Sequence, residues 1–206
     1  MFKKFAAVVF AAASAAATDN TIILSPPGTT GPDVAVIWIH GADCPNTGYK
    51  TLAQELQNQM AANKTPTKTW VGIPQFPLKS PDPVSINIYV KSTLKDLIAA
   101  GFTGDNIMLA GHSLGGVMAQ KYSAGNMSQI KGLITMGSTI TRDNRKMNKD
   151  GTTHINNVPT LTIGGTKDGL MRISRIAESW YHGRENIESA QNWMFPVIAL
   201  DGVSHM

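Results

Sequence analysis

The sequence predicts an α/β fold: one open, mostly parallel sheet with helices on both faces. Three observations carry that expectation. The run Val34-Ala35-Val36-Ile37-Trp38-Ile39 is apolar at every position, as suits a parallel strand covered on both sides. Strand-like and helix-like segments alternate along the chain, with no internal repeat and no second-domain linker. The stretch Gly111-His112-Ser113-Leu114-Gly115-Gly116 lies between the apolar run Ile107-Met108-Leu109-Ala110 and a helix-compatible segment, residues 117–122. That order gives a strand, a sharp turn and a helix.

Each element follows from its pattern. Residues 21–24 read as a short strand closed by Ser25-Pro26-Pro27-Gly28, and residues 34–39 as the central strand. Tyr49, Leu52, Ala53, Leu56 and Met60 recur at helical spacing. Residues 69–73 resume strand character before a proline-rich loop, 74–83. Val90, Leu94, Leu97 and Ile98 mark one face of a second helix, for which Gly101 supplies the C-cap. After the turn and its helix come a strand at 130–136, a charged loop at 141–150 and a strand at 159–163. A helix with Ile173, Ile176, Ala177 and Trp180 on one side leads to a last strand, about 195–200.

Composition bounds the function classes. With 206 residues, 42% of them hydrophobic and 16% charged, the chain suits one globular domain and not a disordered one. Lys3-Lys4, the apolar Phe5 to Phe10 and the small Ala15-Ala16-Ala17 form a secretory signal-peptide pattern over residues 1–17, leaving 18–206 as the domain. The alternative, a membrane anchor, would need about 20 strongly apolar residues, more than this stretch supplies. The expected location is therefore secreted or periplasmic. Without Lys3 and Lys4 the formal charge of +4 falls to about +2, so nucleic acid is not an implied partner. Cys44 is the sole cysteine and forms no intrachain disulfide; it reads as a small packing residue.

The chemistry concentrates at Ser113. In the pattern G-x-S-x-G between strand and helix, a serine on a strained turn exposes its hydroxyl, and small neighbours relieve crowding. A second pattern, Ile39-His40-Gly41-Ala42, ends the central strand in His-Gly. On these two motifs the chain resembles the α/β-hydrolase family, serine esterase-like and lipase-like members included, over nearly everything after the leader. The resemblance implies that the backbone N–H groups of Ala42 and Leu114 form an oxyanion hole. His40 itself reads as a residue satisfying a strand end, and His112 as a packed neighbour of the serine.

In that family the triad runs Ser, Asp or Glu, then His. Asp168, in Gly164-Gly165-Thr166-Lys167-Asp168-Gly169, follows the C-terminal end of a strand, where sites of open α/β sheets collect. Asp143 is the reserve, while Asp150 and Asp201 are less well placed. His205 follows the final strand, a placement that His154 and His182 lack. The resemblance therefore implies catalytic Ser113, Asp168 and His205, with no metal and no cofactor. Its substrates would be small-molecule or lipid esters, with transient lipid-interface contact and oligomeric state left open. The alternatives are a lipase or acyltransferase with the same triad, and a non-catalytic binding protein on the same fold. Two departures stand out. The sequence stops at Met206, where family members continue into a further helix, so the expectation is either a truncated chain without its final helix or a shortened member whose histidine is loosely held. The interval 137–158 also allows only a minimal cap.

Overall fold

The computed structural model describes residues 20–141, 144–147, 153–155, 158–182 and 193–206. The leader pattern at 1–17 lies outside the described residues, as do Asp143 and Asp150.

Seven strands form the sheet, in the order β1-β3-β2-β4-β5-β8-β9. They are β1 (Ile22–Leu24), β2 (Asp33–Ile39), β3 (Lys68–Ile73), β4 (Asn106–His112), β5 (Ile130–Met136), β8 (Thr160–Gly165) and β9 (Val197–Leu200). Only β1 runs antiparallel, against β3. All other neighbours are parallel. The helices are α1 (Lys50–Ala62), α2 (Ile86–Ala99), α3 (Leu114–Ala124) and α4 (Ile173–His182).

The all-apolar run becomes β2, buried from Ala35 to Ile39 and flanked by β3 and β4. Strand alternation sends its side chains to two cores. Ala35, Ile37 and Ile39 meet Tyr89, Val90 and Leu97 of α2 and Met118, Ala119 and Tyr122 of α3. Val36 and Trp38 meet Ala53 of α1 on the opposite side, with Val71 and Ile73. Helices thus cover both faces, and the C-terminal ends of β2, β4, β5, β8 and β9 gather at one edge.

The helical stripes differ in detail from the apolar spacing. Leu52, Ile98, Ile173 and Trp180 are exposed, whereas Gln57 and Thr93 are buried. Gln57 is satisfied because its amide donates to the carbonyls of Leu24, Ser25 and Thr69, stitching α1 to β1 and β3. Thr93 donates its hydroxyl to the Tyr89 carbonyl within its own helix. On α4 the contact with β8 runs through Ile176, which packs where a side chain on Gly164 would sit. Tyr49 lies not in α1 but in the preceding 3-10 turn, Asn46–Tyr49. The interval read as a charged loop, 141–150, contains a short strand, β6 (Arg145–Met147), which pairs antiparallel with β7 (Thr153–Ile155) just beyond it.

Asp33 anchors the start of β2. Its carboxylate accepts from the Trp70 indole at 2.9 Å, Lys68 Nζ at 3.1 Å and the Thr103 hydroxyl at 3.0 Å. The Trp70 hydrogen bond leads, and with Lys68 and Thr103 it outweighs desolvation to hold the carboxyl below its ordinary 3.8. A carboxylate held low contributes stability above the unfolded pKa and loses it as the pH falls through the folded one. Asp33→Asn is therefore expected to show a shallower loss of its urea midpoint than the parent as the pH drops past 3.8. Parallel pH dependences in the two proteins would contradict this role.

Candidate active site

The turn after β4 is built around three glycines. A Cβ on Gly111 would meet the Gly115 carbonyl at 2.5 Å, one on Gly115 the Ile39 oxygen at 2.2 Å, and one on Gly116 the Ser138 Cβ at 2.6 Å. Because Gly111 and Gly115 pack backbone on backbone and Gly116 packs on the Ser138 side chain, α3 starts directly against the end of β2. Ser113 absorbs the reversal with φ 52° and ψ −121°, a conformation that L residues rarely adopt. Its own N–H donates to the Met136 carbonyl at 2.9 Å, tying the turn to β5.

His205 reaches Ser113 from the loop after β9. The loop is held by Lys167 N–H to the Val203 carbonyl and Thr166 N–H to the Leu200 carbonyl, both at 3.0 Å. Thr166 also donates its hydroxyl to Asp201 and accepts from the Gly202 N–H, which gives Asp201 a local structural partner. Gly165 permits this closeness, since a Cβ there would fall 2.1 Å from the Val203 oxygen.

Three side chains meet in line. His205 Nε2 lies 2.9 Å from Ser113 Oγ, and Nδ1 lies 2.7 Å from Asp168 Oδ2. The other carboxylate oxygen, Oδ1, accepts from the backbone N–H groups of Leu170 (2.9 Å) and Met171 (2.7 Å). Burial pushes the Asp168 carboxyl up, but the bonds from His205, Met171 and Leu170 outweigh it and hold the group below its usual value. An ionised Asp168 only accepts, so Nδ1 carries the imidazole proton and Nε2 is free to accept from Ser113. Gly137, at φ +53°, forms the floor: a Cβ there would sit 3.1 Å from the His205 ring and 3.4 Å from Asp168 Oδ2. Gly137 directly follows β5, and no sequence pattern marks its contact with the histidine and the acid.

The strap after β2 passes beside the serine. A Cβ on Gly41 would lie 2.8 Å from His112 Nδ1 and 3.4 Å from Ser113 Cβ, and the first of these contacts leaves no room for a side chain. Among the described residues, neither the Ala42 nor the Leu114 amide has a protein acceptor. Leu114 is the first residue of α3, where amides are left open by helix geometry. His40 is fully buried and braces the strap. Its Nε2 accepts from the Phe76 N–H at 3.1 Å, so Nδ1 is the donor to the Gly41 carbonyl at 2.7 Å. Burial leads in lowering its pKa, against the Gly41 bond, which leaves the ring neutral.

A model of the alpha/beta hydrolase family matches residues 35–187, well over half of the chain. The chain belongs to the α/β-hydrolase family. A search of curated proteins finds no match. This hydrolase-family chain shares its fold with solved structures of low identity. Esterase PE8 is 15% identical, with 91% of each chain covered and a TM-score of 0.63. Est1E from Butyrivibrio proteoclasticus, solved with ferulic acid, is 15% identical over 90% of this chain and 86% of that one, with a TM-score of 0.60. MGS-MChE2, an alpha/beta hydrolase enzyme from the metagenome of lagoon sediments at Mar Chica, Morocco, is 16% identical over 91% and 87%, with a TM-score of 0.58.

Two concavities border the strap and the acid loop. One, of about 670 Å³, is lined by Pro45, Asn46, Gln75, Phe76 and Leu78 among others. The second, of about 400 Å³, is lined by Thr139, Ile140, Leu170, Met171 and Arg175 among others. Phe195 and Met194 pack with Ile140 in a small core cluster, whereas Trp193 is exposed.

Proposed function

We propose that this α/β hydrolase is a serine hydrolase of carboxylic esters. The observation that carries the reading is the continuous chain Ser113 Oγ, His205 Nε2, His205 Nδ1, Asp168 Oδ2, with hydrogen bonds of 2.9 and 2.7 Å. His205 takes the Ser113 proton as Oγ attacks the ester carbonyl, and the carbonyl oxygen gains negative charge. The Ala42 and Leu114 amides stabilise that charge, being fixed donors that need no reorientation. His205 then protonates the departing alcohol. Water, deprotonated by His205, attacks the acyl-enzyme; collapse releases the acid and returns the proton to Ser113. Throughout, Asp168 holds the tautomer of His205 and stabilises its charged form without taking the proton.

The name of esterase PE8 supports ester substrates for a fold of this kind. A lipase reading has one observation in its favour: Leu78 and Leu170, on the loops after β3 and β8, are 93% and 78% exposed. An increase in activity above the solubility limit of a triglyceride would select it over a simple esterase. In the same proposal, residues 1–17 export the chain, so the substrate is met outside the cytoplasm.

Asp168→Asn tests the proposal. An asparagine amide donates to Nδ1, which forces the proton to Nε2 and removes the acceptor for Ser113. Turnover of p-nitrophenyl acetate is expected to fall by about 10⁴-fold, with the fold retained. Near-parent turnover would show that another residue supplies the acid.

A further inference from the structure

A second hydrogen-bonded chain runs behind the triad through residues that the proposed reaction does not use. His112 Nε2 lies 2.9 Å from the carbonyl oxygen of His205. A carbonyl only accepts, so Nε2 carries the proton of the His112 ring. Burial leads in lowering the pKa of that ring, which favours the neutral form with Nδ1 as acceptor. Nδ1 lies 2.8 Å from Tyr49 Oη, which is therefore the donor. The same Tyr49 oxygen accepts from the Gly41 N–H at 3.0 Å. Every proton in the chain has one direction: Gly41 N–H to Tyr49 Oη, Tyr49 Oη–H to His112 Nδ1, His112 Nε2–H to the His205 carbonyl.

Packing fixes the same path. The His112 ring lies 4.9 Å, centroid to centroid, from the His205 ring and 5.8 Å from Tyr49. A Cβ on Gly41 would fall 2.8 Å from His112 Nδ1, so the strap is drawn against the relay as closely as glycine permits. His112 itself ends β4 directly before Ser113. The two ends of the chain are the strap that carries Ala42 and the main chain of the base.

We infer that Tyr49 and His112 are positioning residues, a relay that locks the His205 loop to the oxyanion strap so that the two are held in register as one unit. The inference rests on the serine-hydrolase reading for its catalytic consequence and on geometry alone for the coupling. Neither residue touches the reacting atoms; both act through what they hold.

Tyr49→Phe removes the donor to Nδ1 and the acceptor for Gly41 while keeping the ring that packs on Trp38. His112→Gln keeps a donor toward the His205 carbonyl and breaks the Tyr49 end. In Tyr49→Phe, amide hydrogen exchange is expected to quicken about fivefold to tenfold both at Gly41 and in residues 202–206, with α2 unchanged. For p-nitrophenyl acetate, kcat is expected to fall about tenfold with KM nearly unchanged. Residues that act as one relay are non-additive, so the double variant is expected to be no slower than the worse single variant. Unaltered exchange at 202–206 in folded Tyr49→Phe would overturn the relay, as would multiplicative losses in the double variant. If Tyr49→Phe does not fold, His112→Gln is read for the same exchange at Gly41 and 202–206. Failure of the parent protein to react with a fluorophosphonate would instead count against the serine-hydrolase reading, while the exchange result decides the relay by itself.

Discussion

Replacing Ser113 by alanine is expected to lower ester turnover by about 10⁴-fold or more while leaving the melting temperature essentially unchanged. Both halves follow from the turn. The variant loses the only atom of Ser113 that His205 holds, at 2.9 Å, so no acyl-enzyme forms. It retains a Cβ, hence the same strain at φ 52° and ψ −121°. Ser113 is half-buried at the sheet edge, so removing one oxygen opens no core cavity. Turnover of p-nitrophenyl acetate beside a thermal melt followed by circular dichroism checks both. Retained turnover would remove Ser113 from the mechanism; a large loss of melting temperature would show that its hydroxyl is structural.

The second large effect belongs to Gly115→Ala. Its methyl would be placed 2.2 Å from the Ile39 carbonyl oxygen and 2.5 Å from that of His40. Those are main-chain atoms of β2 and its extension, where Ile39 and His40 are fully buried, and they have nowhere to retreat. Either α3 lifts from β2 or the turn opens. The expected cost is about 4 kcal/mol or more, which for a domain of this size lowers the melting temperature by roughly 10 °C. Gly169→Ala supplies the comparison, because a Cβ there meets nothing within 4 Å and φ is not in the left-handed region. Calorimetry on the two variants distinguishes crowding from a general intolerance of glycine replacement. Equal melting temperatures for Gly115→Ala and the parent would refute the close backbone approach.

The features legible in the sequence are those in which one local pattern meets one physical demand. An all-apolar run such as 34–39 has little choice but a strand buried on both faces, and it is β2. Small residues around Ser113 announce a tight turn because larger ones collide, as the contacts of Gly111, Gly115 and Gly116 demonstrate. Helix faces were less legible. Gln57 and Thr93 are buried because carbonyls of β1, β3 and α2 happen to lie within reach of their donors, information that apolar periodicity does not contain. Ile173 and Trp180 fit a helical stripe, yet α4 meets β8 through Ile176, so the stripe is wider than the contact. The ribbon β6–β7 is two strands of three residues with charged members, too short for a period to emerge.

The site divides in the same way. Ser113, Asp168 and His205 each follow a strand at the edge where an open sheet collects its chemistry, so order along the chain was enough to bring them together on paper. Tyr49 and His112 carry no such mark. Tyr49 falls at helical spacing with Ala53 and Leu56, which favours a core reading, and only the folded chain shows its hydroxyl beside a histidine 63 positions away. Contacts of that separation depend on the parallel pairing of β2 with β4, which sets the turn after β2 beside the end of β4, and have no local signature.

The central claim is that Ser113 is a nucleophile activated by His205, and covalent capture tests it most directly. The purified protein is treated with a fluorophosphonate, and the adduct is located by peptide mass mapping, beside His205→Ala as the control. A single adduct on Ser113 is expected in the parent, and none at the same exposure in His205→Ala. An unmodified Ser113 in the folded parent, or a Ser113 that reacts equally fast without His205, would contradict it.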